Sequence, residues 1–342
     1  MANRQWPTMK DVARQAAVSL STVSYVLNDS GMVSPQRRAR VLEACRLLNY
    51  TPNDSARKLR RRFASTIGLV IPDLANQFFA FLAEGVERAA SESDVLVVLC
   101  APEADGMSDS VNARLLRSQR LDGVVYLAGA SAPAFSLIEL TRLGPVVLVD
   151  EQIPGFDLPS VVSDNRRGAR EIAQHVLEQG HEHAAIIGGP SALWTAQQRL
   201  AGYREAFVAA GLDPDEVPVL VGDYRQDSGT ELAKQLLSHS RSRRPTALLC
   251  ANDLMAVGAL EYARAVGLRV PEDLSLVGFD DLTFSALLQP RLTTVRQPSR
   301  DMGYRAARML INIIEKDDPG ELESFPVAVQ LRDSVAPPRN HR

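Results

Sequence analysis

Cysteine and aromatic residues are scarce in this chain: three cysteines and two tryptophans in 342 residues, with aromatics at 6%. The cysteines, Cys45, Cys100 and Cys250, form no CxxC motif, and three cannot all pair. A disulfide framework is therefore excluded, and reduced cytosolic thiols are expected. Long apolar runs are missing as well. Residues 95–101 and 145–149 are apolar, but both fall far short of the ~18 residues that a membrane span needs. Residues 1–10 have no apolar core, so no secretory signal is expected. The chain also lacks GxSxG, a Walker loop, a GxGxxG behind a strand and HExxH, which leaves an enzyme without a motif to carry it. No cofactor is expected.

Net charge is also scant, at −3, but that total hides an asymmetry. Residues 1–62 hold twelve basic side chains against four acidic ones, a net of +8. The other 280 residues hold 26 basic and 37 acidic groups, a net of −11. A cationic head on an anionic body suits a head that meets a polyanion and a body that does not. A merely solvated basic surface is the competing reading until a motif decides. At 45% hydrophobic and 23% charged, the chain has the composition of a folded protein, and its length suits two or three domains.

The head reads as short helices. Thr8 is a good N-cap for a helix from Met9, with Asp11 completing a capping box. Val12, Ala13 and Ala16 recur at helical spacing, and Ala17-Val18 breaks the pattern. Ser19 opens a second helix with Val23, Val26 and Leu27 inward. A third follows Ser34, with Val41, Leu42, Cys45 and Leu48 inward. Three short helices with a three-residue break between the first two make a helix-turn-helix pattern. Residues 53–65 are basic without a continuous apolar face, which marks a linker that orders on binding.

From Thr66 short apolar runs alternate with amphipathic segments. Strands are expected over 67–71, 95–99, 123–127, 146–149, 185–187, 217–221, 247–250 and 274–277, with helices of about 10–16 residues between most of them. Such alternation marks βαβ units and a parallel sheet covered on both faces. Eight strands with a break near Ser163–Asn165 suit two similar lobes better than one sheet. No low-complexity segment is visible, and the stretch after Arg332 has no heptads for a coiled coil, which argues against a tetramer built through such a tail.

The motifs of the head, Thr8-Met9-Lys10-Asp11-Val12-Ala13, Val18-Ser19 and 22–28 (Thr-Val-Ser-Tyr-Val-Leu-Asn), closely resemble the DNA-binding domain of the lac repressor and galactose repressor family of bacterial transcriptional regulators. The likeness continues through Val33-Ser34, Leu48-Asn49-Tyr50-Thr51-Pro52-Asn53 and Ala56-Arg57-Lys58-Leu59. In the body it runs through Ile67-Gly68-Leu69-Val70, Asn76 with Phe78-Phe79, Gly180-His181, Arg199 with Gly202-Tyr203, Ala251-Asn252-Asp253 and Val277-Gly278-Phe279-Asp280-Asp281. The set covers nearly the whole chain in the family's order. The histidines His181 and His183 then fall in a family loop between helix and strand, so no metal site is expected.

The resemblance implies a division into a helix-turn-helix domain over 1–52, a hinge helix or linker over 53–65 and an effector-binding and dimerisation domain over 66–342. Its first lobe would take about 66–162 and 292–322, its second about 163–291 and 323–342. The fold class is α/β: a small all-α head, then a two-lobed body like periplasmic binding proteins, with doubly wound parallel sheets.

On DNA, Leu20 and Ser21 would read base edges, and Ser19, Thr22, Ser24 and Asn28 would hold phosphates. Thr8, Arg37 and Tyr50 join the DNA-facing set. The family can place Arg at the position of Tyr25; tyrosine lacks its bidentate reach to guanine, so an apolar or phosphate contact is expected there. Were Leu20 and Tyr25 core residues, Val23, Val26 and Leu27 would be redundant as an inner face. Ala17 stands where the family's turn carries Gly, so a positive φ there would be strained by the Cβ. The hinge places Leu59, with Asn53, Ala56 and Lys58 alongside, in the minor groove, where a pair of inserted leucines unstacks a base step. Arg57 and Arg60, Arg61 and Arg62 would serve the phosphates and make binding salt-dependent.

In the body the matching cleft positions are Phe78 and Phe79, for stacking on an apolar ring face, and Arg199, Asn252 and Asp280, for hydrogen bonds, with Asp150 and Tyr224 beside them. Such a set suits a sugar or a similar polyhydroxyl compound. Gln77 replaces the family's usual Pro at the cleft edge. The implied protein is a cytoplasmic homodimeric repressor. It would bind a near-palindromic double-stranded operator under the control of a small sugar-like effector, with no membrane partner. A binding protein without DNA activity would leave residues 1–62 unexplained, and a non-specific nucleoid protein would leave the lobes unexplained.

Overall fold

The computed structural model describes residues 7–27, 33–48, 50, 66–100, 121–129, 134–240, 244–316 and 319–339. They divide into two compact units, residues 1–63 and 64–342. The expected hinge residues Asn53, Ala56, Lys58 and Leu59, and also Asn28, lie outside the described residues.

Among its described residues the head has three helices: α1 (Met9–Ala16), α2 (Leu20–Leu27) and α3 (Pro35–Leu48). Asp11 accepts from the Thr8 amide at 2.9 Å and from its hydroxyl at 2.6 Å, closing the capping box. These bonds, with Arg14 adding to them, hold the Asp11 carboxyl below its ordinary range. Ser19 caps α2, its hydroxyl accepting from the Thr22 amide at 3.1 Å. Val12, Ala13, Ala16, Val23, Val26, Val41 and Ala44 form the core. Leu42 is 51% exposed, against the expectation that it faces inward. It sits one residue, or about 100°, round the helix from buried Val41, and Ala44 takes the inner position instead.

The body opens with β1 (Thr66–Val70), α4 (Gln77–Glu92), β2 (Leu96–Cys100), β3 (Gly123–Tyr126), α5 (Ala134–Leu143), β4 (Val146–Val149) and β5 (Ser160–Ser163). The chain then runs through α6 (Asn165–Glu178), β6 (Ala184–Gly188), α7 (Trp194–Ala209), β7 (Val219–Val221), α8 (Gln226–Leu237), β8 (Ala247–Cys250), α9 (Asp253–Ala265) and β9 (Ser275–Val277). A 3-10 turn (Thr283–Ala286), β10 (Thr294–Arg296), α10 (Ser299–Lys316), β11 (Leu322–Phe325) and β12 (Ala328–Gln330) complete it.

Two parallel sheets result, in the orders β11-β5-β4-β3-β1-β2 and β7-β6-β8-β9, with β10 and β12 in an antiparallel ribbon. The eight strands expected from the sequence all form, shifted by at most two residues at either end. Their runs are apolar because both faces are covered. The first sheet packs α4 and α10 on one face around Ile67, Leu69, Val147 and Val161. Those two helices cross closely: a Cβ at Gly85 would run into the backbone of Arg300, and one at Gly303 into that of Leu82. The second sheet is covered by α8 and α9 around Leu248 and Met255, and by α6 and α7 around Ile186 and Tyr203.

The chain passes between the lobes beyond β5, β10 and β11. Val295 of β10 packs with Val277 and Phe279 in the second lobe's core, while β11, ending at Phe325, pairs with β5 in the first sheet. β10 therefore belongs with the second lobe's core and β11 with the first sheet, so the chain returns between the lobes after each of them.

Candidate functional site

In the head, Leu20 and Tyr25 are 46% and 48% exposed and take no part in the core. Leu20 and Ser24, and Ser21 and Tyr25, are each four residues apart on α2, so the four share one face of the helix. Ser19 holds the first turn, its hydroxyl 2.8 Å from those of Ser21 and Thr22. Arg37 is exposed at the start of α3. Tyr50, expected on DNA, packs half-buried against the head core.

The turn before α2 carries the strain its sequence implied. Ala17 has φ 50° and ψ 52°, in the left-handed region, and donates to the Ala13 and Arg14 carbonyls. Arg40 stabilises this end of α1 from α3, its guanidinium donating to the carbonyls of Ala16 at 2.5 Å and Ala17 at 3.0 Å. Part of the head's positive charge therefore serves the turn, a use that a charge count does not separate from phosphate binding.

In the body, five of the seven expected cleft residues converge where the strands of the two lobes end. Arg199 of α7 is 3% exposed. Its Nη2 lies 3.4 Å from Asp280 Oδ1, its Nε donates to Asn165 Oδ1 at 2.7 Å, and its Nη1 donates to the Ala251 carbonyl at 2.5 Å. The guanidinium also stacks 4.0 Å over Phe279 and 5.7 Å from the Tyr224 ring. Burial works against its charge, and Asp280, the Tyr224 hydroxyl and Asp150 outweigh that, so Arg199 remains a cation. Asn252 caps α9, accepting from the Met255 amide at 2.9 Å, while its Nδ2 donates to the Tyr224 carbonyl at 2.9 Å. It holds Tyr224 in place. A Cβ at Gly189 would come within 2.3 Å of the Tyr224 ring at its hydroxyl end, so this close approach needs glycine.

Three of the cleft residues are backbone outliers. Asp150 has φ 70°, Tyr224 φ 69° and Asp280 φ 109°. Positive φ in non-glycine residues costs on the order of 1 kcal/mol or more each and concentrates at binding sites. Asp150 follows β4 directly, its amide donating to Val161 at 2.8 Å.

Phe78 and Phe79 go elsewhere. Phe78 is buried in the first-lobe core, with Phe79 half-buried against it, the rings edge-to-face at 5.5 Å. Both rings pack into the first-lobe core. Gln77 begins α4, and its side chain accepts from the Thr283 amide at 2.8 Å, so the residue that replaces the family's Pro ties the first lobe to the 3-10 turn after β9.

Five residues of the cluster, Glu151, Thr195, Ser163, Asn165 and Gln297, escaped the sequence reading. Glu151, buried, accepts from the Thr195 amide at 3.1 Å and from the Thr195 hydroxyl, so a first-lobe carboxylate sits on the N-terminus of second-lobe helix α7. A pair of acids straight after the wholly apolar β4 was the available signal. Asn165 and Gln297 complete a closed ring: Asn165 Nδ2 donates to Ser163 Oγ at 3.1 Å, Ser163 Oγ donates to Gln297 Oε1, and Gln297 Nε2 donates to Asp280 Oδ1 at 2.7 Å. Through Arg199 the ring returns to Asn165, and it includes residues beside two of the interlobe crossings.

Burial, then the adjacent Glu151 charge, raises the Asp150 carboxyl far above its ordinary range against the pull of Arg199. Burial raises Glu151 as well, though its bonds from Thr195 restrain it. Asp280 is pushed up to about 6 by burial despite Arg199 and Gln297. A separate cavity of about 540 Å³ lies beneath the β4–β5 connection, lined by Phe156, Trp194 and Leu322 among others. It includes none of the Arg199 ring.

His181 is buried, its Nδ1 2.9 Å from the Thr246 hydroxyl and its Nε2 2.9 Å from Ser275 Oγ. Among the described residues no group of three or more His, Cys, Asp or Glu side chains is placed to hold a metal, and no helix is long and apolar enough to cross a membrane.

Residues 8–53 match the model for bacterial regulatory proteins of the lacI family, and residues 173–335 match that for the periplasmic binding protein-like domain. The chain is 34% identical over 330 residues to the HTH-type transcriptional repressor PurR of Aliivibrio fischeri, covering 96% of this chain and 98% of that one. The chain belongs to the lacI family.

Among solved structures it is similar to the transcriptional regulator CelR–cellobiose complex (34% identity, TM-score 0.73, 96% and 99% of the two chains). It is also similar to the lac repressor dimer bound to operator and the anti-inducer ONPF (28%, TM-score 0.85, 97% and 100%). As a lacI-family member the chain is a DNA-binding transcriptional regulator and not an enzyme. Its head is the helical module and its α/β body the ligand-responsive one.

Proposed function

We propose that this lacI-family regulator is a cytoplasmic homodimeric repressor that binds a near-palindromic operator through α2 and the 53–65 segment, and that a sugar-like effector held between the lobes sets its operator affinity. The observation that carries the reading is the convergence of Asp150, Arg199, Tyr224, Asn252 and Asp280 from separate elements at the strand ends of both lobes. Buried charges of this kind are costly unless a partner or ligand uses them. Solved relatives support the chemistry: CelR was solved with cellobiose, and the lac repressor dimer with operator DNA and ONPF.

In the head, Leu20, Ser21 and Tyr25 read bases, and Thr8, Ser19, Thr22, Ser24, Asn28, Arg37 and Tyr50 contact or position the backbone. Leu59, flanked by Asn53, Ala56 and Lys58, wedges the minor groove. In the body, Phe78 and Phe79 back the effector, and Asp150, Arg199 and Asp280 supply its polar contacts. The dimer's twofold axis matches the operator's. Effector binding redistributes the chain between two lobe arrangements of unequal operator affinity.

The test is selection of operator DNA from genomic fragments with the full chain, followed by a sugar panel on the selected site. A palindromic site whose affinity shifts with one sugar supports the reading. Fragments bound without common sequence, at affinities no sugar moves, would overturn it.

A further inference from the structure

The cleft holds three buried carboxylates, Asp150, Glu151 and Asp280, against one guanidinium. Two of the three have counter-charges. Asp280 faces Arg199 at 3.4 Å. Glu151 takes the amide and hydroxyl of Thr195, and so sits on the partial positive charge at the start of α7.

Asp150 has none. It is 7% exposed, and its Oδ1 finds no hydrogen-bond partner among the described residues. Arg199 cannot turn to it, because Nε, Nη1 and Nη2 are committed to Asn165, the Ala251 carbonyl and Asp280. The charged and titratable groups that act on Asp150 are Glu151 on its own strand end, Arg199 on α7 and Asp280 beyond β9. Two of those three are acidic.

A neutral hydroxyl would satisfy the empty acceptor but supply no counter-charge to the ionised acid. An ammonium group does both. Resting on the reading of this cleft as the effector site, we infer that the effector is a polyhydroxyl compound that also carries a protonated amino group, an amino sugar being the simplest form, and that Asp150 receives the ammonium while Glu151 strengthens the preference. The left-handed backbone at Asp150 fixes this carboxylate where β4 ends, so the site is held ready for the cation rather than formed around it. Burial and the Glu151 charge raise the Asp150 carboxyl in the empty cleft. The cation therefore displaces a proton, and a neutral sugar does not.

The test is titration calorimetry of the full-length protein with matched pairs: D-glucosamine and D-glucose, D-galactosamine and D-galactose, D-mannosamine and D-mannose, each with its N-acetyl derivative. The expected result is one amino sugar that binds at least about tenfold more tightly than its neutral counterparts. Proton release should be visible when buffers of different ionisation enthalpy are compared. Asp150→Asn should reduce the ratio to near one, and Glu151→Gln should reduce it severalfold, which keeps the test open if the first variant folds poorly. A neutral sugar that binds as tightly as its amino counterpart in every pair overturns the ammonium inference and leaves the effector reading standing. If no member binds and operator affinity is unmoved by all of them, both fall.

Discussion

Arg199 and Asp280 meet as a buried ion pair, Nη2 to Oδ1 at 3.4 Å, each less than a tenth exposed. Leaving one charge of such a pair without its partner costs about 3–5 kcal/mol. Asp280→Ala should therefore lower the body's stability by roughly 3 kcal/mol in urea denaturation. Asp280→Asn, which keeps an acceptor for Gln297 and Arg199, should cost less than half of that. Equal losses from the two variants would show that the pair's charge is not what matters.

The ring through Asn165, Ser163, Gln297 and Asp280 joins the cleft to the interlobe crossings. Gln297→Ala should uncouple the two ends: effector affinity falls less than about tenfold, while the effector's influence on operator binding loses most of its coupling, typically 1–3 kcal/mol in such systems. Calorimetry for the first quantity and fluorescence anisotropy for the second give the split. Loss of both in proportion would make Gln297 an ordinary contact.

The raised Asp150 carboxyl gives a pH signature. A carboxyl whose pKa is higher in the fold holds its proton more tightly folded than unfolded, so its stabilisation is complete below the unfolded value near 4 and is lost as pH rises through the folded one. Asp150→Asn, which cannot ionise, should gain on the wild type by about 1–2 kcal/mol between pH 5.5 and pH 8. Denaturation of both proteins across that range measures the difference. A constant difference would place Asp150 in an ordinary environment.

Ala17 supports a fourth test. At φ 50° its Cβ is strained, and glycine relieves that while costing unfolded-state entropy. Ala17→Gly in the full chain should slow amide exchange in α1 and α2 by a factor corresponding to about 0.5–1 kcal/mol. Faster exchange would mean that the turn is not strained.

The reading of the DNA face separates sequence choice from charge. Ser21→Ala and Tyr25→Ala should each weaken operator binding by about 1–3 kcal/mol and leave the salt slope unchanged, because neither residue carries charge. Lys58→Ala should reduce the slope by about one instead. Equal losses on operator and on non-operator DNA for Tyr25→Ala would move that residue from base to phosphate contact.

Much of this architecture was legible in the sequence, and the exceptions have physical causes. Strands such as β1 and β8 are apolar runs covered on both faces, and they declared themselves. β5, β10, β11 and β12 did not: Ser-Val-Val-Ser, Thr-Val-Arg, Leu-Glu-Ser-Phe and Ala-Val-Gln are short and half polar, and long-range pairing makes them strands. In the cleft, Arg199, Asn252 and Asp280 were named by their motifs, whereas Glu151, Asn165 and Gln297 matter through contacts with residues 44, 34 and 17 positions away. Sequence spacing does not show such contacts. The departures at Ala17 and Gln77 were visible as residue types, but the left-handed turn and the bond to Thr283 needed coordinates.

The central claim is that occupancy of the cleft sets the head's affinity for DNA. Its most direct measurement is operator binding by fluorescence anisotropy, for the wild type and Arg199→Lys, with and without the sugar that calorimetry shows to bind. The account predicts that the sugar shifts wild-type operator affinity by at least about tenfold. It also predicts that Arg199→Lys binds operator like the wild type in its absence and shows no shift in its presence. A sugar bound in the cleft with operator affinity unchanged in the wild type would contradict it.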